Sequence, residues 1–291
     1  LAPLTPGDYD LRYSTGQSHA TLARAPIRIT PGKLEPGFVK VTVAQGPAAG
    51  NAVEIILDAS GSMLQKIGKD RRIDIAKTTL TRLTTSGIPA GTPFAFRVFG
   101  REVDSCQTDL DIALGPLDGA AVAARIARLE AKNGAKTPIG ASLDKVADDL
   151  KGVRGERLVI LLTDGEETCG GDPAAAIEKL RKSGVAVRVN IVGFAIDDPK
   201  LAATFRHWSD AGGGLYFDAR DTASLDQALT QALQPAVELV DGKGQVVTQG
   251  LAGAEAPLSA MPGSYTVRLK GRPAAAKAVT IQAKETTSVN F

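Results

Sequence analysis

Histidine is almost absent, with 2 in 291 residues. His19 lies in an N-terminal β-like region, and His207 sits in TFRHWSD beside Trp208. A serine hydrolase needs a base beside its nucleophile, and the chain has no G-x-S-x-G elbow. That class of hydrolysis is therefore not expected. Cysteine is as scarce, at 2 residues, too few for a thiolate zinc centre or a disulfide framework. No long apolar run exists either. VEIIL and LVILL are strand-sized, far below the roughly 18 residues that cross a bilayer, so no membrane span is expected. Net charge is only +2 with both signs interspersed, so the basic stripe of a nucleic-acid binder is missing. Residue 1 is Leu with no charged-then-apolar leader after it, so the expectation is that a leader was removed or that the chain is cut from a longer protein.

What is present divides into three. Residues 1–48 are β-rich, with YDLRYS, TLARAPIRIT and FVKVTV separated by TGQS and PGKLEPG. Residues 49–234 alternate strand-like runs (VEIIL, FAFRVF, RLVILL, VAVRVNIV, LYFD) with helix-like ones. In IGASLDKVADDL the apolar Ile139, Leu143, Val146 and Leu150 share one helical face. Asp172-Pro173 and Asp198-Pro199 each read as an N-cap with Pro at the first helical position. Such alternation predicts an α/β domain, a doubly wound, mostly parallel sheet with helices on both faces. Residues 235–291 return to short strands between DGKG, PG and KGRP turns, predicting a small β-sandwich module.

The stretch VEIILDASGSM places Asp58, Ser60 and Ser62 where a buried strand ends. In a doubly wound sheet, ligands bind beyond the carboxyl ends of the strands. Asp164 leaves RLVILLT at the same edge, and Thr137 lies in GAKTP ahead of a helix. Two carboxylates and three hydroxyls, with no cationic side chain among them, suit a hard divalent cation that takes oxygen ligands. Singly, each piece is an ordinary turn; their joint order on the alternating pattern gives them meaning.

The D-x-S-x-S of Asp58, Ser60 and Ser62, the separate Thr137 and the T-D-G of Thr163-Asp164-Gly165 resemble a von Willebrand factor A domain over about residues 49–234. They carry all three parts of that family's metal-ion-dependent adhesion site. The resemblance implies Ser60, Ser62 and Thr137 as direct ligands of Mg²⁺, with Mn²⁺ or Ca²⁺ as alternatives, and Asp58 and Asp164 acting mostly through water. It also implies a non-enzymatic adhesion or scaffold module whose protein partner donates a Glu or Asp to the metal. Neutral hydroxyl ligands leave the metal's charge poorly matched, which keeps it attractive to that carboxylate.

Two alternatives stand beside this reading. One is a scaffold in which the metal only holds loops together. The other is a phosphatase of the haloacid dehalogenase type, which would need an acid two residues after Asp58, where Ser60 stands. Acidic residues crowd the same edge: Glu166, Glu167, Asp197 and Asp198.

Cys106 (DSCQTD) and Cys169 (EETCGG) sit in polar loops, whereas free cysteines prefer burial. They are expected to form a disulfide in an oxidising compartment, with two separate thiols as the alternative. TCGGDP and the flanking β regions resemble periplasmic, secreted or surface-anchored bacterial members of the family, implying an extracytoplasmic address. Finally, Pro6-Gly7-Asp8-Tyr9-Asp10-Leu11-Arg12 echoes Pro262-Gly263-Ser264-Tyr265-Thr266-Val267-Arg268. Residues 1–30 therefore resemble the closing strands of a partial β-sandwich, expected to pack first on the C-terminal module and otherwise on a neighbouring molecule, with an extended arm along the middle domain as the alternative.

Overall fold

A computed structural model describes residues 7–11, 25–29, 35–42, 51–182 and 186–291. Three strands come first: β1 (Gly7–Leu11), β2 (Ala25–Ile29) and β3 (Gly37–Thr42). The middle runs from β4 (Ala52–Asp58) through a minor hairpin, β5 (Lys66–Ile67) and β6 (Asp70–Arg71), to α1 (Arg72–Arg82). It continues with β7 (Pro93–Phe99), β8 (Thr108–Pro116), α2 (Gly119–Ala127), α3 (Ile139–Asp149) and β9 (Arg157–Thr163). Next are α4 (Pro173–Lys182), β10 (Val187–Phe194), α5 (Pro199–Ala211), β11 (Tyr216–Ala219) and α6 (Thr222–Ala232). The chain closes on β12 (Ala236–Val240), β13 (Val246–Leu251), β14 (Leu258–Ala260), β15 (Gly263–Leu269), β16 (Arg272–Ile281) and β17 (Thr286–Asn290).

The main sheet has the order β11-β10-β9-β4-β7-β8, parallel throughout except for the antiparallel edge strand β8. Its central strands β4, β9 and β10 are buried along nearly their whole length because helices cover both faces. Along β9, Leu158, Ile160 and Leu162 pack with Ile73 and Leu80 of α1 and Leu225 of α6. The alternate residues Val159 and Leu161 pack with Leu143 of α3, Ile177 of α4 and Phe205 of α5. The stripe Ile139, Leu143, Val146 and Leu150 is fully buried, as its spacing predicts. Both Asp-Pro pairs act as read: the Asp172 carboxylate accepts from Ala175 N at 2.9 Å, and Asp198 from Lys200 N at 2.8 Å. Strand order reverses at β4, with β7 on one side and β9 on the other, which puts the crevice of a doubly wound sheet at the ends of β4 and β9.

The last strands build two small sheets, β13-β12-β15-β16 and β14-β3-β17, closed over Val39, Val41, Val237, Leu239, Val267 and Ile281. Here the N-terminal and C-terminal parts merge. β3 pairs in parallel with β17 and antiparallel with β14, and its alternation buries Val39 and Val41. β1 and β2 pair with each other, Gly7 opposite Ile29 and Leu11 opposite Ala25. Among the described residues no strand of the C-terminal module pairs with either of them. The N-terminal strand in the C-terminal module thus comes from residues 37–42, not from the repeated Pro-Gly-x-Tyr segment. In the C-terminal copy of that segment the Tyr265 hydroxyl donates to the Met261 carbonyl at 2.9 Å; Arg12 of the other copy, like His19, lies outside the described residues.

Polar contacts tie the module to the far end of the main sheet. Glu156, which also holds Arg188 of β10, accepts from Arg272 of β16 at 2.8 Å, and Lys270 reaches Asp210 of α5 at 2.5 Å. This joint lies at the end of the sheet opposite the crevice.

Candidate metal centre

β4 carries Asp58 to the crevice fully buried. The turn after it is pinned by Ala59 N donating to the Phe99 carbonyl at 2.9 Å. Close approach of that strand requires glycine at residue 100: its φ is 76°, and an added Cβ would stand 2.4 Å from Ser60 N. Both Asp58 oxygens are engaged, one by Ser60 N at 2.8 Å and the other by the Thr163 hydroxyl at 2.6 Å. Asp58 therefore shapes the loop and anchors it to β9.

The serines form the centre of the cluster. Ser60 Oγ and Ser62 Oγ lie 3.0 Å apart, and Ser62 Oγ donates to Asp164 Oδ1 at 2.6 Å. Backbone bonds hold the Thr137 segment against the other two. Gly61 N donates to the Ala135 carbonyl at 3.3 Å, and Thr168 N to the Thr137 carbonyl at 3.1 Å. Thr137 N in turn donates to the Thr168 hydroxyl at 2.7 Å. The structure thus brings the segments of Asp58, Ser60, Ser62, Thr137 and Asp164 to one edge. Thr137 and Asp164 are nearly buried, at 4% and 7% exposure.

The donor set can be tested against a divalent ion by its spacing. An octahedral Mg²⁺ with bonds of about 2.0–2.1 Å sets neighbouring ligand oxygens about 2.9 Å apart. The serine oxygens already have nearly that separation. Among the described residues no three Asp, Glu, His or Cys converge on one point, so the hydroxyls are integral to any cation site here. Electrostatics agree with an oxygen cluster that wants positive charge. Burial, then the charge of Asp164, pushes Asp58 up to about 7 against the hydrogen bonds of Ser60 and Thr163 that lower it. Burial likewise raises Asp164 against the lowering effects of Ser62 and Arg72.

The site departs from the sequence expectation in one respect. A cation is present: Arg72 Nη1 donates to Asp164 Oδ2 at 2.9 Å. It opens α1 after the β5/β6 hairpin, and no spacing from the D-x-S-x-S turn marks it. The acidic crowd also sorts itself out. Glu167 is used internally, accepting from Gly140 N at 2.8 Å and Cys169 N at 2.6 Å. Asp197 pairs with Arg220, Asp198 caps α5, and Glu166 is exposed. Cys106 and Cys169 form the expected disulfide, joining the loop after β7 to the loop after β9.

A doubly wound sheet whose switch point carries D-x-S-x-S, a remote Thr and T-D-G defines an adhesion-type A domain. The chain belongs to the von Willebrand factor type A domain family, whose model matches residues 53–231. The uncharacterized protein YwmD of Bacillus subtilis (strain 168) is 36% identical over 218 residues, 71% of this chain and 96% of its own length. YwmC of the same organism is 31% identical over 215 residues, 69% of this chain and 90% of its own. Among solved structures, BatB from Bacteroides thetaiotaomicron superposes with a TM-score of 0.50 at 18% identity, covering 62% of this chain and 96% of that one. Proximal thread matrix protein 1 from the mussel byssus, with zinc occupying its MIDAS motif, also gives 0.50 at 18%, over 63% and 44%. At that identity the two structures show a shared fold. The family is a metal-dependent adhesion and protein-interaction module.

Proposed function

We propose that this protein is a non-enzymatic, metal-dependent protein-binding module that recruits a partner's Glu or Asp to a divalent cation. The carrying observation is the pair of serine hydroxyls 3.0 Å apart, backed by Asp164 and by an Asp58 whose oxygens are both already bonded. Ser60, Ser62 and Thr137 would hold the ion directly, with Asp58 and Asp164 orienting them and bound water. Mg²⁺ fits this all-oxygen set best, with Mn²⁺ or Ca²⁺ as substitutes. When bound, the ion supplies one coordination position for an incoming carboxylate. A phosphatase nucleophile is disfavoured, because Asp58 is fully buried and its oxygens are committed. A purely structural metal is disfavoured as well. Glu167, Asp197 and Asp198 are used elsewhere, so they do not close the site from within the chain.

The disulfide supports an oxidising, extracytoplasmic location. No helix among the described residues is long and apolar enough to cross a membrane.

Metal is expected to stabilise the native state by linkage, by about 2.7 kcal/mol when free Mg²⁺ is 100-fold above its dissociation constant. Melting in EDTA and in excess Mg²⁺ reads this directly, and Asp58→Ala should erase the difference. A pull-down from extracytoplasmic extract should retain a partner in Mg²⁺ and release it in EDTA. Identical melts for wild type in the two buffers, with the same proteins retained, would end the proposal.

A further inference from the structure

Arg72 has no role in the metal reading so far. It is the first residue of α1, where a cation opposes the helix dipole. Its guanidinium nonetheless lies on Asp164 at 2.9 Å, with the two side chains only 12% and 0% exposed. Its Nε is buried and has no hydrogen-bond partner among the described residues. An unpaired N–H out of water is unfavourable, so attraction to Asp164 must hold the side chain there. Without it, Asp58 and Asp164 would put two negative charges into one buried cluster. With it, and with both carboxylates ionised to receive a metal, the cluster carries a single net negative charge. A divalent ion then makes the loaded site net positive by one, and the hydroxyl ligands do nothing to reduce that charge.

We propose that Arg72 is a resident counter-cation of this site, resting on the divalent-metal reading above. It neutralises Asp164 while the metal is away, lowers metal affinity, and leaves the loaded site a positive charge that a partner carboxylate completes. Arg72 therefore trades affinity for the ion against affinity for the anionic ligand.

The test is calorimetric titration of Mg²⁺ into wild type, Arg72→Gln and Arg72→Lys, with melting of each in EDTA and in excess Mg²⁺. Removing the positive charge that sits on Asp164 should tighten Mg²⁺ binding about tenfold in Arg72→Gln, even with strong screening. The same variant should gain more from Mg²⁺ in melting temperature than wild type, because its metal-free form is the less stable one. Arg72→Lys keeps the charge and should stay within about threefold of wild type. Simple damage to the fold would weaken binding, which is the opposite sign. Acetate serves as the carboxylate probe; it should raise Mg²⁺ affinity more in wild type than in Arg72→Gln. If wild type binds Mg²⁺ and Arg72→Gln binds it no tighter, or acetate acts equally on both, the counter-cation role is wrong and the metal reading survives. If wild type binds no divalent ion, both fall.

Discussion

Replacing Cys106 and Cys169 together by serine is expected to remove about 4 kcal/mol of stability, the chain entropy released when a cross-link of this span is opened. The bonded residues are 63 apart in sequence, so the bond strongly restricts the unfolded chain. The loss should not stop at the global transition. The Glu167 carboxylate that bonds Cys169 N also bonds Gly140 N at the start of α3. Thr168, next to Cys169, holds Thr137 through both its hydroxyl and its N–H. Loosening this loop should therefore weaken Mg²⁺ binding as well as the fold. Urea titration of oxidised wild type and the double variant decides the first part, with a larger m-value for the variant because its unfolded state is more expanded. A midpoint unchanged by the substitution would show that the bond merely decorates the surface.

The disulfide was legible in the sequence for a physical reason: both cysteines stand in polar loops, where free thiols are uncommon. The A-domain core was legible too, because strands buried on both faces and one-sided helices impose different apolar periods. Asp58, Ser60, Ser62 and Asp164 could be found because they sit at strand ends, where topology converts order along the chain into proximity. Arg72 follows no such rule. It reaches Asp164 across 92 residues from a helix start, and nothing local requires it there. The pairing of β3 escaped for a related reason. That strand pairs with β17 across most of the chain, Phe38 opposite Thr286, and neither strand's alternation names its partner. The same blindness hid Glu54, which reads as one polar residue in an apolar strand until β7 and α3 are folded beside it.

Arg97→Ala is expected to cost 3–5 kcal/mol, on the order of breaking a buried ion pair. Arg97 on β7 is 4% exposed and grips Asp149 of α3 with two bonds of 2.7 and 2.8 Å. It also donates to the Thr108 carbonyl on β8 at 2.9 Å. Glu54 of β4 completes the group, fully buried, 3.9 Å from Arg97, and among the described residues neither of its carboxylate oxygens accepts a hydrogen bond. One guanidinium cannot compensate two carboxylates out of water, so Glu54 keeps a proton that it can donate to Asp149. Burial first, then the charge of Asp149 and that bond, raise Glu54 well above the usual glutamate range, against the lowering effect of Arg97. A carboxyl whose folded value lies above its unfolded one adds stability that is full below the unfolded value. That contribution is lost as pH rises through the folded value. Glu54→Gln keeps a neutral donor to Asp149 at every pH. Relative to this variant, wild type should lose stability steadily as pH rises above the usual glutamate range, read by urea melts across a pH series. Parallel curves for the two proteins would mean that Glu54 is ionised in the fold, and a loss under about 1 kcal/mol in Arg97→Ala would mean that Asp149 had found water.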